Sequence, residues 1–160
     1  MFDIVLGQES TAHTLAWAVY HISQHPDIEQ RVIQEAQEVL NGRETPDYSD
    51  LGKLTYIDCV IKETLRLHPP VAALTRASND DFELGGYHIK KGTYISVNLC
   101  AIHVDENLWT DPMIFNPDRF SEENSRSRHP FAFTPFAARE RICIGMCVFI
   151  SRFLPNAFQG

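Results

Sequence analysis

Prolines at positions 26, 69 and 70 fix the layout of the N-terminal part of this 160-residue chain, because a helix interior cannot hold them and the residue before each is pushed out of the helical region. Between these breaks the apolar residues recur at helical spacing. Phe2, Val5, Leu6, Leu15, Val19 and Ile22 predict a first helix that ends before Pro26. Pro26, with Asp27 and Glu29 behind it, makes a favourable first turn for a second helix: its missing N–H costs nothing there, and acids suit the positive end of the dipole. Ile28, Val32, Ala36, Val39 and Leu40 form the apolar stripe of that helix, and Asn41-Gly42 stops it. After a polar loop over residues 43–50, a third helix is predicted over 51–67, with Leu54, Ile57, Ile61 and Leu65 facing inward.

Past His68-Pro69-Pro70 the pattern shortens. Residues 71–74, 82–84, 87–89 and 94–99 read as strands, with Gly85-Gly86 as a hairpin turn between the second and third. Residues 105–128 are rich in Asn, Asp, Pro and Ser but carry Trp109, Phe115 and Phe120, which predicts a long, specifically packed loop. The fold class is therefore mainly α with a small antiparallel β-sheet, an α+β arrangement. With 44% apolar residues the chain can build one core. No apolar run approaches the ~18 residues of a membrane span. The first residues carry Asp3 and no Lys or Arg, unlike a secretory signal.

Net charge is -7, which argues against a nucleic-acid partner held by phosphate contacts. The charge is uneven: all but 3 of the 21 acidic residues precede Arg119, whereas 6 of the 14 basic ones lie from Arg119 onward. This C-terminal basic run reads either as solubilising charge or as a docking patch for an acidic partner. The 4 cysteines form no secreted disulfide framework. The strongest local feature is Phe136-Ala137-Ala138-Arg139-Glu140-Arg141-Ile142-Cys143-Ile144-Gly145. Its guanidinium charge and a following helix N-terminus both favour thiolate at Cys143, the form that binds soft metals or haem iron. The plainer reading is an inert cysteine. Cys143 and Cys147 lie one helical turn apart, but no second ligand pair accompanies them, which argues against zinc. Glu63 and Arg66, three apart on the third helix, and the rigid turn Asn116-Pro117-Asp118-Arg119-Phe120 are each unexceptional alone.

Taken in order, these features resemble the cytochrome P-450 family of haem-thiolate monooxygenases over residues 1–149. Gly7-Gln8-Glu9-Ser10-Thr11 is similar to the oxygen-activating segment of that family's long central helix, and Glu63-Thr64-Leu65-Arg66 to its Glu-x-x-Arg motif. Pro117-Asp118-Arg119-Phe120 resembles the Pro-x-Arg-Phe segment of its meander, and the stretch from Phe136 to Gly145 its haem-cysteine loop. The resemblance implies the C-terminal part of that fold, truncated at both ends, followed by a divergent tail over residues 150–160. It implies haem b bound through the Cys143 thiolate, with Phe136 shielding the sulfur, Gly145 in the same loop, and Arg141 and Arg76 pairing with the propionates. Glu63, Arg66 and Arg119 become a buried structural network. Glu9, Ser10 and Thr11 become the group that delivers protons during O2 reduction, and Gly7 leaves room beside the helix. Val71, Ala72, Ala73 and Leu74 line the substrate pocket by resemblance, or are plain core.

The implied reaction inserts one oxygen atom of O2 into an apolar substrate, using NADPH electrons passed through a reductase. That reductase, and cytochrome b5 as a second donor, would dock on the basic face around the haem-cysteine loop. The lead-in Asp50-Leu51-Gly52-Lys53-Leu54 looks like the microsomal branch that includes cholesterol 24-hydroxylase, implying a sterol or other lipid substrate and the cytosolic face of the endoplasmic reticulum membrane. Three departures stand out. Ser10 replaces the usual threonine, Arg139 replaces a glycine where positive φ is expected at a cost of ~1–2 kcal/mol, and Pro155 cuts short the helix that starts at Cys143. The competing expectation is a truncated, non-catalytic fragment with at most weak haem binding; a third is an interaction module using the basic C-terminal surface.

Overall fold

The computed structural model describes residues 2–145, and for residues 2–6 and 139 the backbone alone. The expected inward faces of Phe2, Val5 and Leu6, Cys147, the remainder of the helix expected from Cys143, and the tail over 150–160 lie outside the described residues.

Helix α1 (Phe2–Gln24) and helix α2 (Pro26–Leu40) are separated where the sequence requires. His25 is extended at φ -129°, ψ 87°, as a residue before proline must be. Asn41 and Gly42 close α2 in the left-handed region, at φ 46° and 86°, with Asn41 N–H donating to Gln37 O at 3.0 Å. The helix predicted over 51–67 is instead two elements, a 3-10 turn Tyr48–Lys53 and α3 (Thr55–Leu67). Two carboxylates explain the split. Buried Asp50 accepts from Asp47 N–H (2.9 Å), Lys53 (2.9 Å) and Arg43 (2.6 Å), which together hold its carboxyl far below the usual carboxylate range. Glu35 of α2 then caps the N-terminus of α3, accepting from Thr55 Oγ1 (3.0 Å), Tyr56 N (2.7 Å) and Ile57 N (2.9 Å).

The three helices enclose one core of Ala18, Ile28, Val32, Leu54, Ile57, Val60, Ile61, Leu65 and Phe115. Each large apolar side chain buried there contributes about 1.5–3 kcal/mol. Val19, expected inward, is 56% exposed; Thr14 and Ala18 face the core instead.

Strand β1 (Ala73–Ala77) starts two residues later than expected, and it pairs antiparallel not with its neighbours but with β4 (Tyr94–Asn98), Ala73 opposite Asn98 and Ala77 opposite Tyr94. Between them β2 (Phe82–Leu84) and β3 (Tyr87–Ile89) form a separate hairpin through Gly85 and Gly86, both at positive φ. Among the described residues the expected small sheet is thus two two-stranded antiparallel sheets. Leu99, predicted at the end of a strand, begins α4 (Leu99–His103), capped by Asn98 Oδ1 accepting from Ala101 N at 3.1 Å. The long loop holds a 3-10 turn Pro117–Phe120 and α5 (Glu122–Ser125), and buries Trp109, Phe115 and Phe120 as expected. Among the described residues, no helix is long and apolar enough to cross a membrane.

Candidate functional site

The last turn of α3 carries the densest polar network. Arg66 donates from Nε and Nη2 to the two carboxylate oxygens of Glu63 at 2.8 and 2.7 Å, and neither residue has exposed surface. Its remaining N–H groups reach the carbonyls of His103 (2.8 Å), Pro112 (2.7 Å) and Ile114 (3.4 Å). Glu63 Oε1 also accepts from Asn116 N at 2.9 Å and Arg119 Nε at 3.3 Å. Arg119 in turn donates to the carbonyls of Thr110, Asp111 and Ile114. A helix end, α4 and the long loop are thereby fixed through three side chains, with every oxygen of the buried carboxylate engaged.

His103 extends the network to the next segment. It is fully buried, Nδ1 donates to Arg66 O at 3.2 Å, and Nε2 accepts from Thr134 N at 3.4 Å. Burial, and to a lesser degree the nearby Arg66 charge, push its pKa down to about 4, so the ring is neutral and acts as a spacer between α3 and the residues preceding the cysteine loop.

The cysteine loop begins two residues beyond Thr134. Cys143 N donates to Phe136 O at 2.8 Å, which closes it, and Cys143 is exposed. The left-handed residue in the loop is Ala137, at φ 63°, not Arg139. Arg139 opens the 3-10 turn Arg139–Arg141, a right-handed conformation that needs no glycine, so the backbone cost expected there falls on Ala137 instead.

Between this loop, β1 and the start of α1 lies a cavity of about 220 Å³, lined on its apolar side by Leu65, Pro70, Val71, Leu74 and Phe136. Arg76, Arg141, Ser10 and the Cys143 thiol also reach it. A second cleft of about 530 Å³ shares Ser10, Pro70, Val71 and Cys143 with the first and continues past Gly7, Glu9, His13 and Gly145. The space beside Gly7 is open, with nothing within 4 Å of where a Cβ would stand. A Cβ on Gly145 would instead touch Cys143 Sγ at 3.6 Å, so glycine keeps that flank of the sulfur clear.

Residues 4–148 match the cytochrome P450 family. The chain belongs to it. Mouse cytochrome P450 4V2 is 43% identical over 140 residues, covering 87% of this chain and 27% of that protein. Human cytochrome P450 4F11 is 42% identical over 142 residues, with the same coverage, and cytochrome P450 4c21 of Blattella germanica is 38% identical over 140 residues, covering 87% of this chain and 28% of that protein. The chain thus spans about a quarter of the length of the curated relatives it matches.

Membership in the cytochrome P450 family implies haem, and the donor set here fits that group. A soft sulfur ligand opens onto an apolar wall, and Arg76 and Arg141 stand at the same cavity with no carboxylate partner among the described residues, as a flat apolar ring with two carboxylates and a central iron requires. Of the other residues singled out from the sequence, Gly7, Glu9, Ser10, Val71 and Leu74 line the two cavities. Thr11 turns its hydroxyl to Gly7 O at 2.8 Å. Ala72 and Ala73 serve the backbone: Ala72 O accepts from Leu99 N at 2.9 Å, and Ala73 pairs with Asn98.

The basic C-terminal run is less of a surface than its composition suggests. Arg119 lies in the buried network, and Arg128 stacks over Trp109 and Phe120 at 4.5 and 4.7 Å from the ring centroids. Arg126 is exposed but pairs with Glu122 at 2.8 Å. Sequence reasoning also missed His103 and the backbone N–H of Asn116. Nothing marks a lone histidine between the predicted strand 94–99 and the polar loop from 105 as buried, although the Asn-Pro pair at 116–117 did signal a fixed turn.

Proposed function

We propose that this chain supplies the haem-holding and proton-delivering part of a haem-thiolate monooxygenase, which inserts one oxygen atom of O2 into an apolar substrate. The observation that carries this reading is the convergence of Cys143, Phe136, Arg141, Arg76 and Ser10, from three separate parts of the chain, on one cavity. When bound, the haem supplies the iron that activates O2 after receiving electrons. Cys143 would act as its thiolate ligand, with Phe136 at the same cavity to cover the now exposed sulfur once the group is seated. Arg76 and Arg141 hold the carboxylates of the ring by charge-assisted hydrogen bonds. Glu9 and Ser10 border the larger cleft, where the carboxylate would gather a proton and the Ser10 hydroxyl would pass it to the cavity. Val71 and Leu74 provide the apolar wall against which a sterol or other lipid would pack.

Electrons come from NADPH through a reductase, or from cytochrome b5, docking beside the exposed Arg141. The cytosolic face of the endoplasmic reticulum membrane is the proposed location. Titration of the chain with haem, followed by absorbance, tests the site: saturable one-to-one uptake is expected, weakened in Arg76→Gln and Arg141→Gln and altered in spectrum in Cys143→Ala. Uptake that is identical in all three variants refutes it.

A further inference from the structure

The end of α1 and the end of α3 meet through two imidazoles that the haem site does not use. His21 Nε2 and His68 Nε2 are 2.9 Å apart. Both rings are fixed by stacking: His68 lies parallel to Trp17 at 3.6 Å between centroids, and His21 parallel to Phe115 at 4.1 Å. Phe115 is itself held in place, because the next residue, Asn116, is bonded to buried Glu63. Two flat rings are thus clamped edge to edge with their Nε2 atoms facing each other.

We propose that His21 and His68 form a two-imidazole site for a borderline divalent transition-metal ion, Cu2+, Ni2+ or Zn2+. In tetrahedral coordination at ~2.0–2.1 Å, two nitrogens stand about 3.3 Å apart. The pair therefore needs to open by about 0.4 Å to admit Zn2+, whereas adjacent corners of a square-planar Cu2+ or Ni2+ shell need about the spacing already present. The facing atoms already have the required chemistry. Burial pushes both rings toward the neutral form, His21 down to about 4 with the neighbouring His68 and His25 adding to the effect, and neutral imidazole is the ligating form. The charged and titratable groups around the pair are other imidazoles, His25 beside His21 and His13 beside His68. Among the described residues no third His, Cys, Asp or Glu converges on the pair, so water completes the shell.

Coordination balances without an outside reagent. Each Nε2 lone pair enters the metal shell as a bound water leaves, and the proton that bridged the two nitrogens moves to Nδ1 of its own ring. The ion would tie α1 to His68, two residues before Pro70 and three before Val71, which line both cavities at Cys143. It would thus clamp the wall of the haem cavity from behind.

Trp17, stacked on His68, is the built-in reporter. The test is titration of the 160-residue chain with Cu2+ or Ni2+ in a Cys143→Ala background, which removes the exposed Cys143 thiol as a competitor, while tryptophan fluorescence is followed. Saturable quenching by one ion is expected, at least tenfold weaker in His21→Gln and in His68→Gln and unchanged in His25→Gln and His13→Gln. His21→Phe, which keeps the stack on Phe115, guards against a folding artefact: it should melt like the parent without metal yet show no metal-induced rise in Tm. Quenching that persists within twofold in either His21→Gln or His68→Gln, or that is lost in His25→Gln, overturns the proposal.

Discussion

Replacing Glu63 by alanine removes the two carboxylate acceptors of Arg66 and the acceptor of Asn116 N–H in a place where neither charge touches water. The guanidinium stays buried because its other donors are held by the carbonyls of His103, Pro112 and Ile114. Removing one partner of such a pair costs ~3–5 kcal/mol, a large part of the ~5–15 kcal/mol that stabilises an ordinary domain. For a chain of this size it amounts to a fall in Tm of roughly 6–20 °C. Arg66→Met should cost at least as much, since it takes the Arg66 donor from the carbonyls of His103 and Pro112 and leaves the buried carboxylate without its bidentate partner. The double variant should cost less than the sum by more than ~1 kcal/mol, because the second change removes the charge stranded by the first. Arg31→Met is the control: its bidentate pair with Asp118, at 2.9 and 2.8 Å, is half exposed and worth ~1 kcal/mol or less. Urea unfolding followed by circular dichroism measures all four. If Glu63→Ala costs no more than Arg31→Met, the network is not what fixes the long loop to α3.

Ala137→Gly should stabilise the chain by up to ~1 kcal/mol in the same assay, because glycine accepts φ 63° without strain, whereas Arg139→Gly in its right-handed turn should gain nothing. His103 titrates near 6.5 when unfolded but at about 4 when folded, so the unfolded chain binds more protons between those values. Its contribution is complete above pH ~6.5 and is lost as pH falls toward about 4; urea midpoints across that window should fall with acidification, and less steeply in His103→Gln. Arg76→Gln and Arg141→Gln should each weaken haem retention about tenfold or more, judged by transfer of haem to an excess of apo-acceptor protein. Their urea midpoints without haem should not move, as neither side chain has a carboxylate partner among the described residues.

Much of this was legible because proline and periodicity act locally. Pro26, Asn41-Gly42 and Pro69-Pro70 mark real boundaries, and the hairpin at Gly85-Gly86 forms with the predicted bounds. The errors arise where distant groups decide. The break at Leu54 is made by Glu35 reaching across from α2, and the partner of β1 lies beyond an entire hairpin. Glu63 and Arg66 look like a solvated surface pair from spacing alone, yet Asn116 and Arg119, more than fifty residues away, bury them. At the candidate site the resemblance singled out Cys143, Arg76, Arg141 and Ser10, which the structure brings to one cavity. The motifs could not say that Ala137 would take the left-handed conformation, or that Arg119 and Arg128 would turn inward, since both depend on how the loop closes between Phe136 and Cys143 and on where Trp109 and Phe120 pack.

The most direct test of the site is the reduced, carbon monoxide difference spectrum of the chain reconstituted with haem, recorded beside Cys143→Ala. Thiolate ligation by Cys143 predicts the red-shifted Soret band of the family in the parent and its loss in the variant. A band at the position of an imidazole-ligated haem, unchanged in Cys143→Ala, would contradict the assignment.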